Sequence, residues 1–268
     1  MAKKLDKPAV KIKVFEGFAG IGITRLAQMD FAEELGIEFD YVGYSEIDGG
    51  AIAAYQVLHN GDTNSYGDVT KINWKNMNVD FLSWTFPCQS ISTAGNNQGF
   101  EEGSGTKSSI GFSIKKVLKE MPHKPRTIFV ENVANILSPK HRATFNEFVN
   151  YLRSEGYYVS YKKIDASKVG FPQHRDRVYL LATFGYDLQF DWPKERPLDF
   201  RLRDVLESNV DPSTSYPQGS TTICLTLQRP TMENARCDYI IHPIVKEPFA
   251  SPQGREIVMM IISFCSMM

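Results

Sequence analysis

Along the first two thirds of the chain, apolar and polar positions follow two periods in turn. Val10 to Phe15 alternates as a strand does, and Glu16 to Gly22 is a glycine-rich turn. Ile23, Leu26, Ala27, Phe31 and Leu35 then fall near helical spacing, and Gly36 closes that helix. The same reading gives strands over Phe39 to Ser45, Val79 to Trp84, Arg126 to Val130, Tyr157 to Ile164 and Arg177 to Thr183. It gives helices over Asp48 to His59, Ser108 to Lys119 and Arg142 to Ser154. Such alternation predicts an α/β fold, a doubly wound and mostly parallel sheet with helices on both faces. Between Ser90 and Lys107 lies a long loop rich in Gly, Ser and Asn, a length that marks a functional lid or a disordered segment. Past Phe184 prolines recur and periodicity fades; Leu202 to Ser208 is the one short helix predicted there. The chain therefore divides into residues 1–184 and a short, irregular region, 185–268.

Composition changes this picture little. The 268 residues are 42% hydrophobic and 23% charged, ordinary for a soluble globular protein. A formal net charge of -1 means that any nucleic-acid surface must be a local patch. The lysines near the amino terminus precede no signal-peptide core, and no apolar run is long enough to cross a bilayer. Cys88, Cys224, Cys237 and Cys265 form no paired CxxC and have no histidine at ligand spacing, which argues against a structural zinc site and suits a reduced, cytoplasmic setting.

Candidate chemistry gathers at the predicted strand ends. Pro87 stops the strand at Trp84 and stiffens the loop that presents Cys88. Ligands gather at the carboxyl ends of strands in open α/β sheets, so Cys88 is a candidate nucleophile; a lone cysteine is otherwise a small buried hydrophobe. Gly17, Gly20 and Gly22 suit a nucleotide-type cradle, or close packing of a helix on a strand. Glu46 and Asp48 follow the second strand, where an acid hydrogen-bonds ribose hydroxyls or caps a helix. Asp68, after Gly67, repeats that pattern. Glu131 ends the Arg126 to Val130 strand at the edge that carries Cys88. Burial there would raise its pKa toward that of an acid working near neutral pH, and an ordinary strand-end carboxylate fits equally well. Arg175 and Arg177 alternate and so point the same way, as a pair able to hold a carboxylate, a phosphate or a base edge.

Taken in order, these segments resemble the DNA cytosine methyltransferases that modify carbon 5. The resemblance covers roughly residues 10 to 183 and implies a Rossmann-like methyltransferase fold. Phe18-Ala19-Gly20-Ile21-Gly22 is similar to the family's cofactor motif, with Glu16-Gly17 in place of the usual acidic-aliphatic pair. Glu46, followed by Ile47, matches the ribose-binding acid, and Gly67-Asp68-Val69 the segment that contacts adenine. Phe86-Pro87-Cys88-Gln89-Ser90 matches the catalytic motif, with Pro87 also on the cofactor side. Gly99-Phe100-Glu101 and the Thr106 region match the next block. Glu131-Asn132-Val133 and Gln173-x-Arg175-x-Arg177 match two later motifs. The resemblance implies S-adenosylmethionine as cofactor and double-stranded DNA as partner. Cys88 would attack carbon 6 of a flipped cytosine, Glu131 would act at ring nitrogen 3, Arg177 would hold the base carbonyl, and Arg175 would shape the pocket. The Ser90 to Lys107 loop would close over the base.

The sequence departs from the family after Arg177. Residues 185–268 are short for the target-recognition region expected there, and no Gly-Asn segment matching the family's final motif is present. His242-Pro243 and Ser251-Pro252 with Arg255-Glu256 faintly echo the penultimate motif, and Ile257 to Met268 is apolar. Three readings follow: an active enzyme with a short recognition region; one subunit of a split methyltransferase whose second chain carries recognition and the final motif; or an inactive remnant that binds nucleic acid or a partner. RNA as substrate would use the same motifs.

Overall fold

The computed structural model describes residues 10–204, apart from 36, 189, 199, 200, 202 and 203. Ten regular elements run in the order β1 (Val10–Gly17), α1 (Ile23–Leu35), β2 (Ile37–Ser45), α2 (Gly49–Leu58), β3 (Phe81–Trp84), α3 (Ile114–Glu120), β4 (Thr127–Val133), α4 (Arg142–Ser154), β5 (Tyr157–Asp165) and β6 (Asp176–Phe184). They build one six-stranded sheet in the order β2-β1-β3-β4-β6-β5. The four strands from β2 to β4 are parallel, and β6 runs antiparallel between β4 and β5.

The sequence dictates this layering. Thr127, Ile128, Phe129 and Val130 are all buried, the unbroken apolar run of a strand covered on both faces. In α4 the buried residues Phe145, Phe148, Val149 and Leu152 form one helical stripe. They join Ile114, Val117 and Leu118 of α3 in the larger core, while Ile12, Val14, Phe81, Phe129 and Leu181 form a smaller core on which Ala27 of α1 packs.

Most boundaries fall within two residues of the sequence reading, and three of the differences have a physical reason that bears on the site. β1 runs on through Glu16 and Gly17, expected in the turn, because β2 and β3 both pair with them. β4 continues past Val130 through Glu131, Asn132 and Val133, because β6 extends the ladder there: Glu131 pairs with Tyr179 and Val133 with Arg177. The Ser108 to Lys119 helix is a 3-10 turn, Lys107–Ser113, followed by α3. Thr106 caps that turn, and Gly111 within it gives way to the ring of Phe86. The Leu202 to Ser208 helix falls on residues that lie, but for Asp204, outside those described.

Candidate active site

Four parallel strands end at one edge of the sheet, and the antiparallel β6 begins there. That geometry alone brings the Phe18–Gly22 turn, Glu46, the Cys88 loop, the end of β4 and Arg175–Arg177 to the same edge.

The glycine turn is tied down on two sides. From β2, the Ser45 carbonyl accepts the Ala19 N–H at 2.9 Å, and Glu46 Oε2 accepts the Gly20 N–H at 2.9 Å. The other oxygen of Glu46 accepts the N–H groups of Ile47 (2.7 Å) and Asp48 (2.9 Å). From β3, the Thr85 hydroxyl donates to the Phe18 carbonyl at 3.2 Å. His59 Nε2 lies 3.2 Å from the Ile21 carbonyl; because a carbonyl only accepts, this nitrogen carries the proton. Burial first, and then the Arg25 charge, lower the His59 pKa and keep the ring neutral. Gly20 has φ +56°, and a Cβ there would meet nothing within 4 Å, so the turn opens onto free space. Ile47 stands beside it, 76% exposed. Backbone N–H groups, one carboxylate and an exposed apolar side chain suit a nucleoside-bearing cofactor.

Beneath this turn lies a buried polar cluster. Glu16 is 1% exposed and accepts the Tyr55 hydroxyl at 2.7 Å. Burial pushes its carboxyl up to about 7 against the opposing pull of Tyr55 and Arg25. Arg25 in turn donates to Thr63 Oγ1 (2.6 Å) and pairs with Asp62 at 2.9 Å.

Cys88 is half-buried on the loop after β3. Its carbonyl accepts the N–H groups of Ile91 (2.9 Å) and Ser92 (2.8 Å), forming a single turn. Asn132, buried in β4, donates to the Phe86 carbonyl at 3.1 Å and so tethers the cysteine loop to the next strand. The longer loop beyond is anchored rather than free. Ile91 and Phe100 are fully buried, and Asn97 accepts from His141 Nε2 at 2.7 Å and from Asn135 at 3.3 Å.

Glu131 lies on the face of β4 that meets Arg177 of β6, and Arg177 Nε donates to Glu131 Oε1 at 2.8 Å. Burial raises the Glu131 pKa, while the nearby charges of Arg177 and Arg175 pull it down. Tyr179, two residues beyond Arg177 and on the same face, completes the group; burial and then the Glu131 charge push its phenol up to about 12. Arg175 is exposed just before β6, where Asp165 accepts its N–H at 3.1 Å and pairs with His174 at 2.6 Å.

Comparison with known proteins places this geometry. The profile of the C-5 cytosine-specific DNA methylases matches residues 12–250. The chain belongs to this family. Among curated methylases, the type II methyltransferase M2.ScrFI of Lactococcus lactis subsp. cremoris is 28% identical, over 74% of this chain and 68% of its own length. M.NlaX of Neisseria lactamica is 32% identical, over 74% and 61%. M.HhaI of Haemophilus parahaemolyticus is 33% identical, over 75% and 58%. The chain thus matches roughly three fifths to two thirds of these methylases. Among solved structures, the S. pombe Dnmt2 methyltransferase superposes with a TM-score of 0.61 at 21% identity, covering 81% of this chain and 66% of that one. A methyltransferase of Entamoeba histolytica does so with a TM-score of 0.61 over 77% and 63%. These two establish the fold: the Rossmann-like methyltransferase sheet.

Within the methylase fold, Phe18, Ala19, Gly20, Ile21, Gly22, Glu46, Ile47, Pro87, Cys88, Glu131, Arg175 and Arg177 all lie at the one edge. The Gly67-Asp68-Val69 segment meets the same edge, where the Gly67 carbonyl accepts the Ser45 hydroxyl at 2.6 Å; Asp68 Oδ1 caps the short turn Val69–Lys71 through the N–H and hydroxyl of Thr70, its Oδ2 lies 3.7 Å from Lys71, and Val69 is buried. Asp48 is the N-cap of α2 and accepts the Ala51 N–H at 2.7 Å, the capping alternative rather than the ribose one. Sequence reasoning named Asn132, Glu16 and Trp84 only as motif or strand positions, and missed the Asn132 tether, the Glu16–Tyr55 pair and Tyr179. The i+2 spacing from Arg177 was a signal for Tyr179. Nothing local marks Tyr55 as the partner of Glu16. Among the described residues, no cluster could hold a metal and no helix is long and apolar enough to cross a membrane.

Proposed function

We propose that this chain transfers a methyl group from S-adenosylmethionine to carbon 5 of a cytosine flipped out of double-stranded DNA. The observation that carries the reading is the Glu131–Arg177 ion pair at 2.8 Å, held at the sheet edge where Asn132 tethers the Cys88 loop. Glu46 and the Phe18–Gly22 turn would hold the cofactor, with Ile47 against its base and Pro87 walling the reacting side. When bound, that cofactor supplies an electrophilic methyl group on a sulfonium.

The Cys88 thiolate adds to carbon 6 of the base, forming a C–S bond, and the displaced electron pair makes carbon 5 nucleophilic. Glu131, its carboxyl poised upward by burial, protonates or hydrogen-bonds ring nitrogen 3 and absorbs the developing charge. Arg177 grips Oε1 of Glu131, orients it and faces the base carbonyl; Arg175 contributes positive charge at the pocket rim. Once carbon 5 carries the methyl group, which the cofactor would give up by leaving as the neutral thioether, loss of the carbon 5 proton to a base expels Cys88 as thiolate and restores the ring. An inserted base is required, because neither carbon is reachable in a stacked duplex. Residues 1–184 would supply this chemistry and 185–268 the target recognition.

The test is duplex DNA containing 5-fluorocytosine, with S-adenosylmethionine and the purified chain. Fluorine blocks the last proton loss, so a denaturant-stable adduct through Cys88 is expected, and C88S should abolish it. No adduct at any DNA sequence would sink activity by this chain alone. An adduct that needs a second chain would establish the split enzyme, and faster labelling of RNA would reassign the substrate.

A further inference from the structure

Gly17 and Trp84 stand opposite each other at the ends of β1 and β3. Trp84 is fully buried, and its ring fills the place of a side chain at position 17: a Cβ on Gly17 would lie 2.5 Å from Trp84 Cε3 and 2.7 Å from Cζ3. Gly17 is paired in extended strand, so its glycine serves this close approach and no left-handed turn.

The indole touches the three segments that meet at the site. Its edge meets the ring of Phe18 at 5.0 Å between centroids and 77° between planes. Phe18 has φ +59°, a conformation disfavoured for a bulky side chain, so its surroundings must hold it there. The indole N–H donates to the Gly111 carbonyl at 2.9 Å, at the base of the long loop. Gly111 also makes room for Phe86: a Cβ there would lie 2.8 Å from that ring. Trp84 itself leads directly through Thr85, Phe86 and Pro87 to Cys88.

We propose that Trp84 is a positioning residue for methyl transfer, a wedge that fixes the Phe18 turn relative to the Cys88 loop, with Gly17 vacated to house its ring. This rests on reading the Phe18 turn as the cofactor side. Trp84 touches neither cofactor nor base in this role; it acts through Phe18 and the cysteine loop.

Reciprocal exchange of volume tests it, using the full chain and the variants G17V, W84L and G17V/W84L. Three quantities are read: the thermal midpoint without ligand, the Kd for S-adenosylhomocysteine by calorimetry, and the Kd for unmodified duplex DNA. Each single variant should lower the midpoint and weaken S-adenosylhomocysteine about tenfold, the scale of one lost aromatic contact, with DNA affinity held within about twofold. The double variant should recover the midpoint and bring cofactor affinity to within about threefold of the parent. A W84L protein that folds and binds S-adenosylhomocysteine as the parent does would overturn the proposal. So would a double variant no better than the worse single, which also decides the matter if a single variant fails to fold. If the parent itself binds no S-adenosylhomocysteine, the proposed function fails, while the midpoint of the double variant still judges the wedge.

Discussion

Glu16 and Glu131 lie on strands with only β3 between them, yet their environments set them different tasks. Glu131 keeps a cation against it and 28% of its side chain in solvent, so its charged form is tolerated. Glu16 is shut in at 1% exposure, and its hydroxyl and backbone partners do not offset desolvation. Its folded pKa of about 7 stands above the unfolded value, so the folded state holds a proton that the unfolded chain has lost across that interval. Stability from this group is therefore full below about pH 4.5 and declines as pH rises to about 7. Replacing Glu16 by Gln should remove that decline and raise stability at pH 8 by up to about 3 kcal/mol. Urea unfolding of both proteins at pH 5 and pH 8 measures it; parallel pH profiles would mean that Glu16 is ionised in the fold.

At the scale of elements, the cysteine loop depends on a strand it does not belong to. Asn132 donates to the Phe86 carbonyl and accepts the Val133 N–H at 2.9 Å, so N132A leaves a buried carbonyl and a part-buried N–H without those partners. A loss of about 1–3 kcal/mol is expected, together with slower adduct formation on 5-fluorocytosine DNA. Unchanged stability and adduct rate would show that the tether does not position Cys88. This dependence also marks what could be read beforehand. Long periodic stretches such as α4 were legible to the residue, because one buried stripe defines them. Cys88, Glu131, Arg175 and Arg177 were legible as strand-end groups, because parallel strands share a carboxyl edge. The prolongation of β4 was not, because it depends on the antiparallel arrival of β6, a pairing absent from local sequence. Nor was the Trp84–Gly17 exchange: a tryptophan in a strand reads as core, and a glycine before a turn reads as part of the turn.

For the whole molecule, a cofactor that binds only the folded chain must raise its stability by mass action. S-adenosylhomocysteine at 100 times its Kd should add about 2.7 kcal/mol. In a domain of this size that moves the thermal midpoint by roughly 5–10 °C. A scan with and without ligand reads this directly, and a coincident pair of melts would remove the nucleoside site from the glycine turn. The described residues would hold the proposed chemistry, while most of the region that would choose a DNA sequence falls beyond Asp204.

The reversed direction of β6 carries one more consequence. Arg177 reaches Glu131 because it stands opposite Val133 in an antiparallel ladder whose side chains alternate faces. The stretch from Ala166 to Arg175 that feeds β6 therefore acts as a parity counter. A gain or loss of two residues that slid the strand would keep Arg177 on the working face. A slip of one would turn Arg177 to the far side, in company with Tyr179, and present Asp176 and Val178 in their stead. Lineages of this fold should thus vary that connection in steps that preserve parity, or absorb odd steps in a bulge before the strand begins.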